Sequence, residues 1–367
     1  MSNPYLSILK TSKSRNYSKQ IDASIETQAP SNIALVKYWG KKELQIPINP
    51  SISFTLSKAT TQTHIIITPK QHKGLSVDFT FDAKPQKKFE SKIKTFFNRL
   101  IEYCPWILNH HFKINSNNTF PHSSGIASSA SSMASIAIGL VQLEKLIDDD
   151  LVSEEEQNLK ASFLARLGSG SASRSIEGPL VIWGESRSFN TSSNYYGLSI
   201  SQLIDVHQVF STFCDTILIV DKNPKKVSST HGHQMMNNHP FYAGRMIQAE
   251  NHISSLREVL NTGDIQRMIP IVEREALSLH GLMLSSSNYY LLLQPNTVKI
   301  IHRILDFRTS SKLPIMFSLD AGPNIHLLYP LSIKQQVEGF IKNELFDCFI
   351  DLIDDQVGHG TTWSFNH

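Results

Sequence analysis

The stretch Leu319-Asp320-Ala321-Gly322-Pro323-Asn324 sets a carboxylate at the head of an apolar run, with Ile315, Met316 and Phe317 before it and Ile325, Leu327 and Leu328 behind. An aspartate there has two uses. It accepts backbone N–H bonds and so forms turns, or it takes a proton from a reacting hydroxyl and stabilises nearby positive charge. Lys37 lies among Ile33, Leu35, Val36, Tyr38 and Trp39. An ammonium in such company needs an anionic partner, unless it snorkels from an edge strand.

Two further stretches suit anions. FPHSSGIASSASSMASIAIGL (120–140) runs from a loop with Ser123, Ser124 and Gly125 through Ala127 into a helix of small residues opening at Ser128 and Ser129. A helix N-terminus leaves N–H groups unpaired and attracts phosphate, and serine hydroxyls add hydrogen bonds or ligate Mg²⁺. Tight packing of a capped helix on a sheet calls for the same small residues. LARLGSGSASRSIEG (164–178) offers Ser169 and Ser171 with the planar fork of Arg174, which pairs bidentately with carboxylate or phosphate. The alternative is a solvated linker, which the strand GPLVIW directly behind it disfavours.

The elements that must position these groups follow from periodicity. Alternation on a period of two predicts several strands between Ala29 and Asp82, and HFKINS and CDTILIVD read as strands. Helices are predicted over 87–103, from Ser128 to about Ile147, after the acidic run at 148–156, across 233–285, over 295–311 and over 331–345, with a strand at 347–353. Helices segregate from antiparallel-looking strands, which predicts an α+β fold. The expected division is an N-terminal arm (1–28), a first domain (29–204) and a second domain (205–367).

Composition narrows the function. The 367-residue chain is 40% hydrophobic and 18% charged with a net charge of +3, ordinary for a globular protein and without the basic clustering of nucleic-acid binders. Cys104, Cys214 and Cys348 lie far apart, which disfavours a disulfide framework or zinc knuckle and fits the cytoplasm. The polar N-terminal stretch lacks a signal-peptide core, and no apolar run is expected to span a membrane. The pairs His110-His111 and His231/His233 lack metal-ligand spacing and read as strand or surface histidines.

Taken together, APSNIALVKYWGKK, PHSSGIASSASSMAS, GSGSASRSIEG, VSSTHGH and LDAGPN resemble, in order, the diphosphomevalonate decarboxylase family of the GHMP kinase superfamily. The resemblance spans about residues 29 to 324. It implies a ribosomal protein S5 domain 2-like N-terminal domain, an α/β-plait-like C-terminal domain and an active site between them. It also implies ATP and Mg²⁺ as cofactors, mevalonate 5-diphosphate as substrate, and phosphorylation of its 3-hydroxyl before loss of phosphate and CO₂. The product would be isopentenyl diphosphate, the isoprenoid building block of the mevalonate pathway.

Carried over by position, the resemblance gives Asp320, Lys37 and Arg174 to catalysis. Tyr38, Lys41, Ser169, Ser171, Arg174 and Ser229 would hold the substrate. Ser116, Asn118, Ser123, Ser124, Gly125, Ala127, Ser128 and Ser129 would hold the nucleotide, with Ser129 on the metal. A homodimer is expected, with no nucleic-acid or membrane partner. The chain departs from the family in its short GKKELQIP segment, in Ser173 where Cys is usual, in Thr230 and His233, and in NNHPF at 237–241. These departures fall on the diphosphate pocket more than on the reaction centre. The alternatives are a mevalonate 5-phosphate decarboxylase, a mevalonate 3-kinase, or a ligand-sensing regulator without turnover.

Overall fold

The computed structural model describes residues 19–121, 126–148, 153–223 and 229–365. Strands β1 (Ala23–Val36), β2 (Ser51–Pro69), β3 (Val77–Phe81), β4 (Lys84–Pro85), β5 (His110–Asn118), β6 (Leu180–Trp183), β7 (Gly197–Ser199) and β12 (Thr362–Phe365) build a first sheet, in the order β12-β1-β2-β5-β3-β4 with β6 and β7 branching from β2. A second sheet, β11-β8-β10-β9, comprises β8 (Cys214–Ile219), β9 (Met316–Ser318), β10 (Ile325–Tyr329) and β11 (Asp351–Gln356). The long β2 pairs with β1 along its length, with β6 at its start and with β5 at its end. Its β-branched residues suit that role, since they pack well on a pleated surface.

Three helices, α1 (Lys87–Leu100), α2 (Ser128–Ile147) and α3 (Glu154–Gly168), cover the first sheet. The small residues of α2 have a packing reason. A Cβ on Gly139 would come within 2.7 Å of Ile65, and Ser131 and Ser135 bond across to Thr61 (2.6 Å) and Thr27 (2.8 Å). The helix is long and apolar enough to cross a membrane by length and hydropathy, contrary to the sequence expectation, but 83% of that window is buried within the protein, as in a core helix. Ser153 starts α3 with a capping box to Glu156, so the acidic run serves helix initiation.

The second half of the chain carries α4 (Ser229–Gln234), α5 (Tyr242–Thr262), α6 (Ile265–Leu284), α7 (Pro295–Ser311) and α8 (Lys334–Phe340). The helix expected over 331–345 is broken into a 3₁₀ turn, α8 and a π turn, and the following strand begins at Asp351 rather than 347. Strand β1 begins at Ala23, inside the stretch read as an arm. Residues 362–365, assigned from sequence to the second domain, pair with β1 on the first sheet.

The two halves share a core. Ile33, Leu35, Ile52 and Phe54 of the first sheet pack with Ile217, Ile219, Met316 and Leu328 of the second. Asp355 of β11 reinforces the junction by accepting the N–H groups of Ser57 (3.0 Å), Lys58 (2.8 Å) and Ala59 (2.7 Å), where the β1–β2 register shifts nearby. Asp355→Ala strands these three donors and should cost about 2–3 kcal/mol of unfolding free energy by denaturant titration, since an unmet buried donor costs its desolvation. A loss under ~0.5 kcal/mol would show that water replaces the carboxylate.

Candidate active site

Lys37 directly follows β1, and its side chain is 3% exposed. Its Nζ donates to Asp320 Oδ1 at 3.0 Å. The main chain of Lys37 is held as firmly as its head. Its N–H donates to Glu275 Oε2 (2.8 Å), and its carbonyl accepts from Asn49 Nδ2 (2.9 Å) and Arg245 Nη2 (2.7 Å). Glu275, fully buried on α6, also accepts both Nη groups of Arg245 (2.7 and 2.6 Å) and His252 Nδ1 (2.6 Å). Burial alone would raise the Glu275 pKa, but His252, Arg245 and the Lys37 N–H hold it below the usual carboxylate value. Burial likewise pulls the Lys37 ammonium down, against the charge of Asp320.

Asp320 lies between β9 and β10, which pair antiparallel as His326↔Ser318. The turn is closed by main chain, with Gly322 N–H donating to the Asp320 carbonyl at 2.7 Å. His280 Nε2 donates to that same carbonyl at 3.1 Å. Asn324 ties the end of the loop to Val220 and Asp221 through their N–H groups. The Asp320 carboxylate thus pairs with the lysine, while main chain closes the turn.

Arg174 is buried in the short helical turn Gly170–Ser175. Its fork donates to Ser53 Oγ (2.9 Å), Ser51 Oγ (2.5 Å) and Asn32 Oδ1 (3.3 Å), all neutral acceptors, and lies 5.8 Å from the Trp183 ring. Burial pulls its pKa down to about 10 while the charge of Asp320 opposes that. A buried guanidinium oriented by neutral groups projects its positive charge outward, toward an anionic ligand.

Tyr38 packs edge-on to Trp183 (4.8 Å) and tilted on His233 (4.3 Å), and burial pushes its phenol pKa up. A Cβ on Gly170 would lie 2.7 Å from Trp183 and 2.9 Å from the Tyr38 hydroxyl, so only glycine brings that backbone so near the tyrosine. Beyond it, Ser169 Oγ is 3.3 Å from Ser129 Oγ and 3.5 Å from Ser171 Oγ. The two serine loops thus meet. Lys41 donates to Gln45 Oε1 at 2.8 Å, and burial followed by the charge of Arg99 lowers its pKa.

Ser128 and Ser129 occupy the first turn of α2, after Ala127 in a left-handed conformation (φ 35°). That conformation costs an alanine about 1 kcal/mol, as expected where a loop is shaped for a ligand. Asn118 Oδ1 accepts from Thr61 (2.8 Å), while its buried amide nitrogen finds no acceptor among the described residues. It borders a cavity of about 280 Å³ lined by Phe81, Asp82, Thr119, Phe120 and Pro121. Ser116 is placed differently: fully buried in β5, its hydroxyl bonds Thr63 Oγ1 at 2.8 Å. Its pleat position turns it into the sheet packing. Ser123, Ser124 and Gly125 lie outside the described residues, as does the side chain of Ser229 at the start of α4.

Sequence reasoning missed Glu275, Arg245, His252, His280 and Asn49. The nearest signal was charge at helical spacing on α6, which reads equally as a solvated face. The tempting histidines are structural: His110 bonds Ile21 N–H and the Trp106 carbonyl, and His111 bonds Ser76.

Known proteins resemble this chain along most of its length. The description "Diphosphomevalonate decarboxylase-like N-terminal domain" matches residues 29–195, and "Mevalonate 5-diphosphate decarboxylase C-terminal domain" matches 216–351. The chain belongs to the diphosphomevalonate decarboxylase family. It is 26% identical to the diphosphomevalonate decarboxylase of Aspergillus fumigatus, over 86% of this chain and 79% of that protein. The crystal structure of mevalonate diphosphate decarboxylase from Staphylococcus aureus superposes with a TM-score of 0.79 at 26% identity, covering 94% of this chain and 98% of that one. A solved family complex with MVAPP, AMPPCP and magnesium gives a TM-score of 0.79 at 27% identity, covering 94% and 100%.

His233 generates a pH prediction. Its Nδ1 accepts the Gly40 N–H at 3.0 Å, so a proton on that nitrogen would break the bond. Burial, then Lys41 and Arg174, push its pKa from 6.5 down to about 3. Between those values the unfolded chain binds a proton that the folded protein refuses, so stability falls as pH drops through this window, by up to about 1.4 kcal/mol per pH unit. His233→Gln keeps an acceptor without the titration. Urea unfolding at pH 6.5, 5.5 and 5.0 should give a shallower loss for the variant than for the parent. Parallel losses would show that His233 protonates freely when folded.

Proposed function

We propose that the chain catalyses ATP-dependent decarboxylation of mevalonate 5-diphosphate to isopentenyl diphosphate, CO₂, ADP and phosphate. The observation that carries this is the Lys37–Asp320 pair, gripped from both main-chain sides, beside an Arg174 fork whose partners among the described residues are neutral groups.

The 3-hydroxyl lies against Asp320, which accepts its proton as the terminal phosphoryl group of ATP is transferred. Asp320 releases that proton to water, the tertiary phosphate then leaves, and positive character at C3 faces the regenerated Asp320 carboxylate. Arg174 holds the substrate carboxylate until its C–C bond breaks, and that electron pair forms the new double bond as CO₂ departs. Tyr38, Lys41, Ser169 and Ser171 hold the diphosphate. A kinase that stops at phosphorylation has no need of a buried fork for the carboxylate.

ATP fits on structural grounds: the first turn of α2 presents unpaired N–H groups, and the unmatched Asn118 amide borders a cavity. Among the described residues no three His, Cys, Asp or Glu side chains form a metal cluster. Mg²⁺ in this reading is carried on the ATP phosphates with the exposed Ser129 hydroxyl as its protein contact, and supplies charge neutralisation there. A cytoplasmic location is supported by three buried, unpaired cysteines. A homodimer belongs to the same reading and is testable by light scattering.

Two measurements test the function. ADP release should be fast with mevalonate 5-diphosphate and slow with mevalonate or its 5-phosphate, with isopentenyl diphosphate as product. Comparable kcat/KM for the monophosphate would favour the phosphomevalonate reading. Asp320→Asn should stay folded, because main chain closes its turn, bind both substrates, and lose at least ~10³ in kcat. A folded variant within tenfold of the parent would remove Asp320 from the chemistry.

A further inference from the structure

The face that the second sheet turns to the first alternates on a period of two: Asp215, Ile217 and Ile219 on β8, Met316 and Ser318 on β9, His326 and Leu328 on β10. Ile217, Ile219, Met316 and Leu328 belong to the shared core, so Asp215, Ser318 and His326 are polar groups buried among them. Ser318 has a docking role, since its hydroxyl donates to the Ala34 carbonyl of β1 at 3.4 Å. His326 Nδ1 donates to Asp215 Oδ2 at 2.7 Å, with both side chains at most 3% exposed. Apolar residues in those two places would hold the sheets together as well, because the desolvation of a buried ion pair offsets its attraction. The pair calls for a use of its charge.

Asp215 engages only one of its oxygens. Its buried Oδ1 has no partner among the described residues, whereas Asp355, opposite it on β11, has both oxygens bonded to the N–H groups of Ser57, Lys58 and Ala59. Burial raises the Asp215 pKa and His326 opposes that; Asp355 then adds to the rise and Lys37 to the fall. Lys37 follows Ile33 and Leu35 of β1 into this interface. The coupling of two charges is mutual, so Asp215 in turn favours the ammonium.

Around Lys37 also stand Asp320, Glu275 and Arg174. The Glu275 charge is already shared among Arg245, His252 and the Lys37 N–H. When Asp320 accepts a proton, its charge beside Lys37 is lost. The buried ammonium then needs another anion.

We propose that the Asp215 carboxylate, oriented by His326, is the standing negative charge that keeps Lys37 an ammonium while Asp320 carries the substrate proton. This rests on the reading of Asp320 above. Asp215 touches no reacting atom and acts through Lys37, as a positioning residue.

The test reads Lys37 directly. The full chain is labelled with lysine carrying ¹³C at Cε, and the Lys37 signal, identified by its loss in Lys37→Arg, is titrated by NMR without substrate. Asp215→Asn keeps the shape and an acceptor for His326 but removes the charge. It should lower the Lys37 midpoint by at least ~0.5 pH unit, as loss of a nearby opposite charge does. The alkaline limb of the kcat profile should move down with it. His326→Gln keeps an uncharged donor toward Asp215 and should leave the midpoint in place. Asp215→Leu, which suits the apolar face, is the second variant if Asp215→Asn does not fold, with the same shift expected. An unmoved midpoint in the folded variant would overturn the proposal, even with a lowered Tm, which is all that a structural role predicts. A lowered midpoint with an unmoved kcat limb upholds the charge at Lys37 and counts against Asp320 as the proton acceptor.

Discussion

The buried carboxylate of Glu275 is the constraint on which the reaction centre depends. It is reached from the main chain of Lys37 across 238 residues of sequence, and it fixes Arg245, which in turn grips the Lys37 carbonyl. Removing one member of such a group leaves an uncompensated buried charge, so the group is ordered as a whole. Because Glu275 and Asp320 both belong to the second half of the chain, the half that carries the carboxylate also sets the position of the lysine. The lysine comes from the first half. The pair thus forms only when the two sheets are docked, and the shared apolar core beneath them stabilises that docking.

A second theme is how little of the positive charge is cancelled. Arg174 is oriented by two serines and an asparagine, and Lys41 by a glutamine. Carboxylates in those places would give stronger pairs, and a weaker field toward the ligand. Neutral acceptors fix the geometry and leave the charge available to an anion. Asp320 is the exception, and its exposed quarter distinguishes it from Glu275, which has no surface at all. Glu275 organises the protein, whereas Asp320 can meet a hydroxyl.

Much of this was legible in the sequence. Short-range features gave themselves away because their reasons are local: α2 over Ser128–Ile147 and α7 over Pro295–Ser311 match expectation, and Asp320, Lys37 and Arg174 stood out as charges set in apolar or glycine-rich company. The rest depended on register. Ser116 and Asn118 lie two residues apart on β5, yet one hydroxyl is spent on Thr63 while the other side chain keeps an unmatched amide beside a cavity. Spacing alone does not separate them. Strand β12 eluded the reading because its four residues gain their pairing from β1, more than three hundred positions away in the chain.

The same distinction explains why the serines of α2 fall into two groups. Ser131 and Ser135 face the sheet and bond threonines of β2 and β1, so the packing reason for small residues holds for them. Ser128 and Ser129 stand at the open first turn, where helix geometry leaves N–H groups unmatched. Both readings of the stretch are therefore correct on different turns of one helix. Close packing brings the helix down onto the sheet, and that seating places its N-terminus against Ser169, where the loop of Arg174 begins. The meeting of the two serine loops is a consequence of the packing: without glycine and serine on the buried face, the first turn would be lifted away from the loop it meets.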